Sequence, residues 1–339
     1  MPSVIVTGGA GFIGSNLVRY LRRERSDWRV FNIDKLTYAG NLNNLSGIES
    51  GPGYTFVHGD IADPATLARV WSRIKIKYVF HLAAETHVDR SLKDAMPFVR
   101  TNVGGTAALL DAARAEGVEK FIYMSTDEVY GAVPAGSDEV FTEESPLRPR
   151  NPYAATKAAA DLFCQAAHIS HDLPVVILRT TNNYGPYQYP EKFLPLMLTN
   201  LILGEQVPIY GSGQQKRDWL YVEDTCGALV TLAERAQPGA IFNLAGSGLV
   251  PNIELAHKVL KVLKLGEERL KMVQDRPGHD FAYPLVAKKA LEELNLRATT
   301  KLEDGLRRTI FWYRKNESWW RAIREGNFKE YYKKQYSEL

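Results

Sequence analysis

The sequence predicts a doubly wound α/β fold: a parallel sheet flanked by helices, followed by a smaller C-terminal lobe that binds substrate. Three observations predict it. Short β-branched or aromatic runs recur at residues 4–7, 30–34, 54–59, 78–81, 121–125 and 175–179, with helical patterns between them. Strands alternating with helices need crossover connections and therefore pair in parallel. A glycine-rich turn follows the first run, and an aspartate closes the second.

Composition sets the outer bounds. In 339 residues, 45 % hydrophobic and 11 % aromatic content is enough to close a large core without staples, which excludes disorder and small disulfide-built folds. With 42 Lys plus Arg against 39 Asp plus Glu the net charge is +3. That balance supplies no basic field for nucleic acid or a membrane surface. Cys164 and Cys226 are far apart and outside any C-x-x-C spacing, so they read as buried small hydrophobes, with no metal site implied. The N-terminus lacks a signal-type segment, and no run is long and apolar enough to span a bilayer; the expectation is a soluble cytoplasmic protein.

Each element then follows in order. Between the first two strands, residues 15–23 form a crossover helix whose Leu17, Val18 and Leu21 make one stripe while Arg19, Arg22 and Arg23 face elsewhere. After about residue 180 the rhythm changes to the loop chemistry of Asn182-Asn183-Tyr184-Gly185-Pro186-Tyr187. Residues 1–180 therefore read as a dinucleotide-binding domain and 181–339 mainly as a substrate domain. A buried strand at 241–244 suggests returns to the first domain near 218–245. The aromatic series Phe311, Trp312, Tyr313, Trp319 and Trp320 has helical spacing and is expected to dock against the body.

Gly9-x-Gly11-x-x-Gly14 lies between a strand and a helix, and Gly8 with Gly11 and Gly14 also fits the looser three-residue spacing. Asp34 ends the second strand 20 residues beyond Gly14. This is the Rossmann-type fingerprint: the turn brings helix N-terminal amides to a pyrophosphate, and the acid accepts from a ribose. Asp34 would repel a 2′-phosphate, so NAD is favoured over NADP. A glycine turn before an ordinary helix is the plain alternative. Asp60 and Ile61 after the third strand, and Leu82, Ala83 and Ala84 after the fourth, fall where the adenine and the far ribose would lie.

Tyr153 and Lys157 are four apart and share a helix face. A phenol ionises near pH 10 in water, and a neighbouring ammonium lowers that value while also holding a cofactor ribose. Thr126, at the end of a strand, would hydrogen-bond the substrate hydroxyl that Tyr153 deprotonates. Asp127 and Glu128 come next, at the carboxyl end of a central strand where open α/β sheets bind ligands. By themselves they read equally well as a solvated turn or helix cap. Beside Thr126, Tyr153 and Lys157 they suggest a second acid/base step, removal of water next to a new ketone.

These segments resemble the extended short-chain dehydrogenase/reductase family, and within it the dTDP-glucose 4,6-dehydratases. The likeness is carried by Thr7-Gly8-Gly9-Ala10-Gly11-Phe12-Ile13-Gly14, Lys35-Leu36-Thr37-Tyr38-Ala39-Gly40-Asn41, the stretch from Ala83 to Ser91, Ser125-Thr126-Asp127-Glu128-Val129-Tyr130-Gly131 and Arg217-Asp218-Trp219-Leu220-Tyr221-Val222. The acidic pair is the most telling part, since related sugar epimerases lack it. The resemblance implies that Phe12, Ile13, Lys35, Leu36, Thr37, Thr86, Thr101 and Asn183 join the NAD site. For a sugar-nucleotide substrate it implies Thr86, Thr126, Asn182, Lys192 and Phe193, then Pro208, Ile209, Tyr210, Arg217 and Asn252, and finally Asp275, Arg276 and His279. Arg217 and Arg276 suit a diphosphate, because guanidinium pairs with phosphate oxygens in a fork.

The implied reaction has three stages. Tyr153 takes the 4-hydroxyl proton as hydride leaves carbon 4 for NAD; Glu128 removes the proton at carbon 5 while Asp127 protonates the leaving 6-hydroxyl; hydride then returns to carbon 6. The resemblance also implies a homodimer through helices at 101–113 and 153–167. One departure stands out: Phe281 and Ala282 precede Tyr283 where the family carries two arginines, which removes two cations beside the expected diphosphate. The competing readings are a UDP-sugar 4,6-dehydratase, a sugar-nucleotide 4-epimerase and a non-enzymatic NAD-binding regulator. Intact Thr126, Tyr153 and Lys157 argue against the last.

Overall fold

A computed structural model describes residues 1–48, 51–72, 74–275 and 279–326. In chain order the first part runs β1 (Ser3–Thr7), α1 (Phe12–Glu24), β2 (Arg29–Asp34), β3 (Tyr54–His58), α2 (Pro64–Trp71), β4 (Tyr78–His81), α3 (Val88–Lys93), α4 (Met96–Phe98), α5 (Thr106–Glu116), β5 (Lys120–Thr126), α6 (Pro152–His171) and β6 (Val175–Thr180). There follow β7 (Asn182–Tyr184), α7 (Phe193–Leu203), β8 (Val207–Tyr210), β9 (Lys216–Tyr221), α8 (Val222–Arg235), β10 (Ile241–Leu244), β11 (Leu249–Pro251), α9 (Asn252–Leu263), β12 (Leu270–Val273), α10 (Lys288–Leu294), α11 (Leu302–Lys315) and α12 (Glu317–Glu325).

Seven strands form one sheet in the order β10-β6-β5-β4-β1-β2-β3, every neighbouring pair parallel. The predicted doubly wound Rossmann-type fold is therefore present. Chain order reverses at β1, which lies between β2 and β4, with Val4 opposite both Val30 and Tyr78. Such a reversal opens a crevice at the carboxyl ends of the strands. Val4 and Val6 face one apolar core with Leu17 and Leu229, while Ile5 faces another with Val79 and Phe121. Strands covered on both faces are near-continuously apolar, which is why their runs were legible without alternation.

α1 begins at Phe12, three residues before the helix read from periodicity, because Gly11 in an extended conformation serves as its N-cap. β10 pairs with β6 at the sheet edge, and α8 and α10 contribute Leu229, Ala290 and Leu294 to the core that also holds β1. A third core gathers Leu198, Trp219, Leu260, Leu306 and Trp320 from α7, β9, α9, α11 and α12. Of the aromatic series in the last helices, Tyr313 and Trp320 are buried, and Trp312 and Trp319 pack partly. Phe311 is 68 % exposed, a correction to the expected docking, because its position on α11 faces solvent. Cys164 and Cys226 are both buried free thiols. Among the described residues no helix is long and apolar enough to cross a membrane.

Candidate active site

A cavity of about 330 Å³ occupies the crevice at the carboxyl ends of β1, β2, β4 and β5. Its floor is the glycine turn. Gly8 has φ +72°, and a Cβ there would lie 2.8 Å from the Ala83 backbone; a Cβ on Gly14 would meet the Gly8 carbonyl at 2.1 Å. Phe12, Ile13, Thr37, Ile61, Ala84 and Thr101 complete much of the wall beside Gly11, Leu82 and Ala83. Asp34 accepts from the Ala10 amide through Oδ2 at 2.8 Å and from the Leu36 amide through Oδ1 at 2.7 Å. Burial raises its carboxyl above the ordinary value, and the two amides oppose that rise. Leu36 itself is turned away from the wall: its φ of 55° aims the amide at Asp34, and its side chain packs on the core. Lys35 pairs with Asp60 at 2.8 Å; although burial alone would raise Asp60, Lys35, the Ala62 amide and Arg100 hold it below its usual range.

The chemical groups meet where β5 ends against the start of α6. Asn151 caps α6 by accepting from the Ala154 amide at 2.8 Å, and Pro152 opens the helix, so Tyr153 and Lys157 enter on its first turns. Tyr153 and Thr126 share the cavity wall, and the Thr126 hydroxyl donates to Asp127 Oδ1 at 3.1 Å. Glu128 Oε2 accepts from Asn151 Nδ2 at 3.3 Å. Thr126, Glu128, Tyr153 and Lys157 all line the cavity, while Asp127 lies behind them at 2 % exposure. Burial first, and then the Glu128 charge, push the Asp127 carboxyl well above its ordinary range. Glu128 is also raised by burial but is opposed by Asn151, Arg217 and Lys192. The two acids thus sit in different environments. The expected lowering of the phenol by Lys157 is not what the geometry shows. Burial, then Glu128 and Asp127, hold Tyr153 above its usual range, while the Lys157 ammonium donates to the Met124 carbonyl at 2.7 Å and lies 4.2 Å from the Tyr123 ring centroid.

The remaining sequence-predicted residues divide into two groups. Thr86, Asn182, Asn183 and Lys192 line the same cavity, and Lys192 donates to the Thr86 carbonyl at 3.0 Å, joining the two halves of the chain. The buried Oδ1 of Asn182 has no protein partner. The second group lies beyond that cavity, around β8, β9 and the start of α9. Tyr210 stands edge-on to His279 with ring centroids 6.0 Å apart. His279 bonds Asp275 at 2.7 Å, and Asp275 also accepts from Gln215 at 2.7 Å. Asn252 begins α9 and has a buried Oδ1 without a protein partner. Pro208 precedes Ile209 on β8, Phe193 leans on Trp219 at 6.4 Å, and Ile209 is in the third core, so only its backbone is left for a ligand. Arg217 is tied down: it donates to the Phe281 and Asp280 carbonyls at 3.1 and 3.0 Å, with its guanidinium 4.8 Å from the Tyr283 ring centroid. Ala282 is buried and bridges Val133 through its backbone. Arg276 lies outside the described residues.

Residues 4–245 match the model of the NAD dependent epimerase/dehydratase family. The chain belongs to that family. It is 46 % identical over 325 residues to a dTDP-glucose 4,6-dehydratase of Streptomyces niveus, with 95 % of each chain covered, and 39 % identical over 352 residues to that of Escherichia coli, with 96 % and 97 % covered. A dTDP-glucose 4,6-dehydratase of Streptomyces venezuelae, crystallised with NAD bound, superposes with a TM-score of 0.90 at 43 % identity, covering 95 % of this chain and 99 % of that one. A UDP-glucose 4-epimerase of Thermotoga maritima superposes at 0.86 with 28 % identity, covering 93 % and 99 %. The fold is thus shared across the family, and side chains at the site must distinguish its reactions.

One group in this family site was not found from spacing. Glu191 is 8 % exposed, accepts from the Tyr38 hydroxyl at 2.9 Å, and has His87 Nε2 and Arg90 Nη2 each 3.5 Å from Oε2. The Arg90 guanidinium stacks 3.7 Å from the Tyr38 ring centroid. Burial raises the Glu191 carboxyl, with Lys192 and Arg90 opposing. Tyr38 and Glu191 are 153 residues apart, and no local pattern marks the glutamate.

Proposed function

We propose that this chain converts dTDP-glucose to dTDP-4-keto-6-deoxyglucose and water on one resident NAD. The observation that carries it is the pair of carboxyl groups in contrasting environments, Glu128 on the cavity wall with Thr126 and Tyr153 and Asp127 buried behind them, in an NAD dependent epimerase/dehydratase fold. The cavity fits NAD: glycines remove the Cβ atoms that would fill the turn, and Asp34 is held by two amides with lone pairs left for ribose hydroxyls. Bound NAD supplies a hydride acceptor for carbon 4 and the same hydride for carbon 6. Residues 1–180 with the returns near 218–245 hold the cofactor, and the rest of 181–339 holds the sugar nucleotide.

The protein residues move the protons. Tyr153, on the cavity wall with Thr126, takes the 4-hydroxyl proton. Lys157 is the buried cation on the same helix face and offsets the phenolate charge that Tyr153 carries before this step and loses in it. The resulting ketone acidifies the carbon-5 proton, which Glu128 removes as the more readily ionised carboxylate. Asp127, kept protonated by its burial, serves the leaving 6-hydroxyl. Loss of that proton and hydroxyl releases one water, and the carbon-5 proton is restored at the end.

We also infer an isologous homodimer. Leu92, Met96, Val99, Leu162, Phe163 and Ile169 are exposed apolar side chains on the α3–α6 side of the molecule, a density that marks an interface. The reaction is assigned to the cytoplasm, where reduced Cys164 and Cys226 are at home. The deciding experiment incubates purified protein with dTDP-, UDP-, CDP- and GDP-glucose and follows the alkali-labile keto sugar. Product from dTDP-glucose without added reductant is expected. Product only from UDP-glucose would reassign the base, and 4-epimer without keto sugar would replace dehydration with epimerisation.

A further inference from the structure

A continuous line of hydrogen bonds runs from the last described helix to the carboxylate at the end of β2. Trp319 Nε1 on α12 donates to Asn44 Oδ1 at 2.8 Å. Asn44 Nδ2 donates to the Ala10 carbonyl at 2.8 Å, and the Ala10 amide donates to Asp34 Oδ2 at 2.8 Å. Asn44 is 1 % exposed and Ala10 is fully buried. The Ala10 carbonyl also accepts from the Asn41 amide at 3.0 Å, so the connection between β2 and β3 grips the glycine turn from outside. Arg19 fixes the same loop from α1, donating to the Asn44 carbonyl at 3.0 Å while lying 4.8 Å from the Tyr187 ring centroid.

The C-terminal helices hold the opposite wall as well. Trp319 packs edge-on to Trp312 at 5.1 Å and to Tyr187 at 6.0 Å. Tyr187 carries φ +65°, a costly backbone for a non-glycine residue that needs support from its neighbours. The next residue, Gln188, lines the cavity, and its carbonyl accepts from the Tyr313 hydroxyl on α11.

We propose that Trp319 is a positioning residue for the cofactor: through Asn44 it fixes Ala10 and Asp34, and so slows departure of NAD from a site that must keep the same dinucleotide through the whole reaction. This rests on the reading that the cavity holds NAD. A turn gripped from the substrate lobe is pre-organised for its ligand, so less ordering remains to be done on binding.

The test measures NAD affinity and dissociation on cofactor-stripped full-length protein, independently of turnover. Trp319→Phe keeps one aromatic ring and removes the indole N–H together with the fused ring that carries it. Loss of one net hydrogen bond should weaken NAD binding about fivefold and speed its release to match. Asn44→Ala should weaken it about tenfold, and the double variant should be no weaker than Asn44→Ala alone, since the tryptophan acts through the asparagine. dTDP binding should be unchanged in Trp319→Phe. Unchanged NAD affinity in Trp319→Phe, or effects of the two substitutions that multiply in the double variant, would overturn the proposal. A wild-type protein that binds no NAD would instead refute the cofactor reading beneath it.

Discussion

Lys157 lies one helical turn after Tyr153, yet its ammonium donates to the Met124 carbonyl at 2.7 Å on the neighbouring strand. Both side chains are buried, and that burial sets their protonation more strongly than their mutual spacing does.

Burial lowers Lys157 to about 8 from 10.5, with Asp161 partly opposing. The folded chain therefore releases a proton that the unfolded chain keeps between those two values, and stability contributed at this position rises as pH climbs through that window. At neutral pH the buried charge costs the fold up to roughly 3 kcal/mol. Lys157→Met should abolish turnover while raising the urea-unfolding free energy at pH 7, and the gain should shrink toward pH 10. Destabilisation at pH 7 would contradict this account.

Asp127 and Glu128 should leave separate marks on the pH profile. Glu128 must be ionised, and its raised value places the acid limb above the ordinary carboxylate range. Asp127 must be protonated, so activity falls on the alkaline side as that proton is lost. Glu128→Gln should lower product formation by about 10²–10⁴ and stop deuterium entering at carbon 5. Asp127→Asn should lower the rate comparably and remove the alkaline limb. Full deuterium entry in Glu128→Gln would assign the base elsewhere.

Arg179 and Asp161 form a buried ion pair, Nε to Oδ2 at 2.6 Å, with the Tyr130 hydroxyl on Arg179 Nη1 at 2.8 Å. Removing one partner strands the other charge. Arg179→Met should cost about 3–5 kcal/mol in chemical denaturation, and adding Asp161→Leu should recover much of it. A double variant as unstable as the sum of both singles would show that the pair is not the source.

The exposed apolar helices predict the assembly. Light scattering should give a dimer mass for the wild type, and Phe163→Glu with Ile169→Glu should give a folded monomer with an unchanged far-ultraviolet spectrum. A wild-type monomer at micromolar concentration would remove the proposed interface.

Local chemistry determined much of this protein from the sequence by itself. Short-range patterns built the six strands read at 4–7 through 175–179, the glycine turn, the acid at Asp34 and the shared helix face of Tyr153 and Lys157, because each depends on neighbours within a few residues. The tertiary structure decided what depends on distant partners or on burial. It joined Glu191 to Tyr38 and Trp319 to Asn44, turned Leu36 away from the cavity, engaged Arg217 with two carbonyls, and aimed Lys157 at Met124. It also separated the environments of Asp127 and Glu128, adjacent residues of the same charge that no spacing rule tells apart. Desolvation and hydrogen bonding are properties of the space around a group, and that space exists only once distant segments have packed.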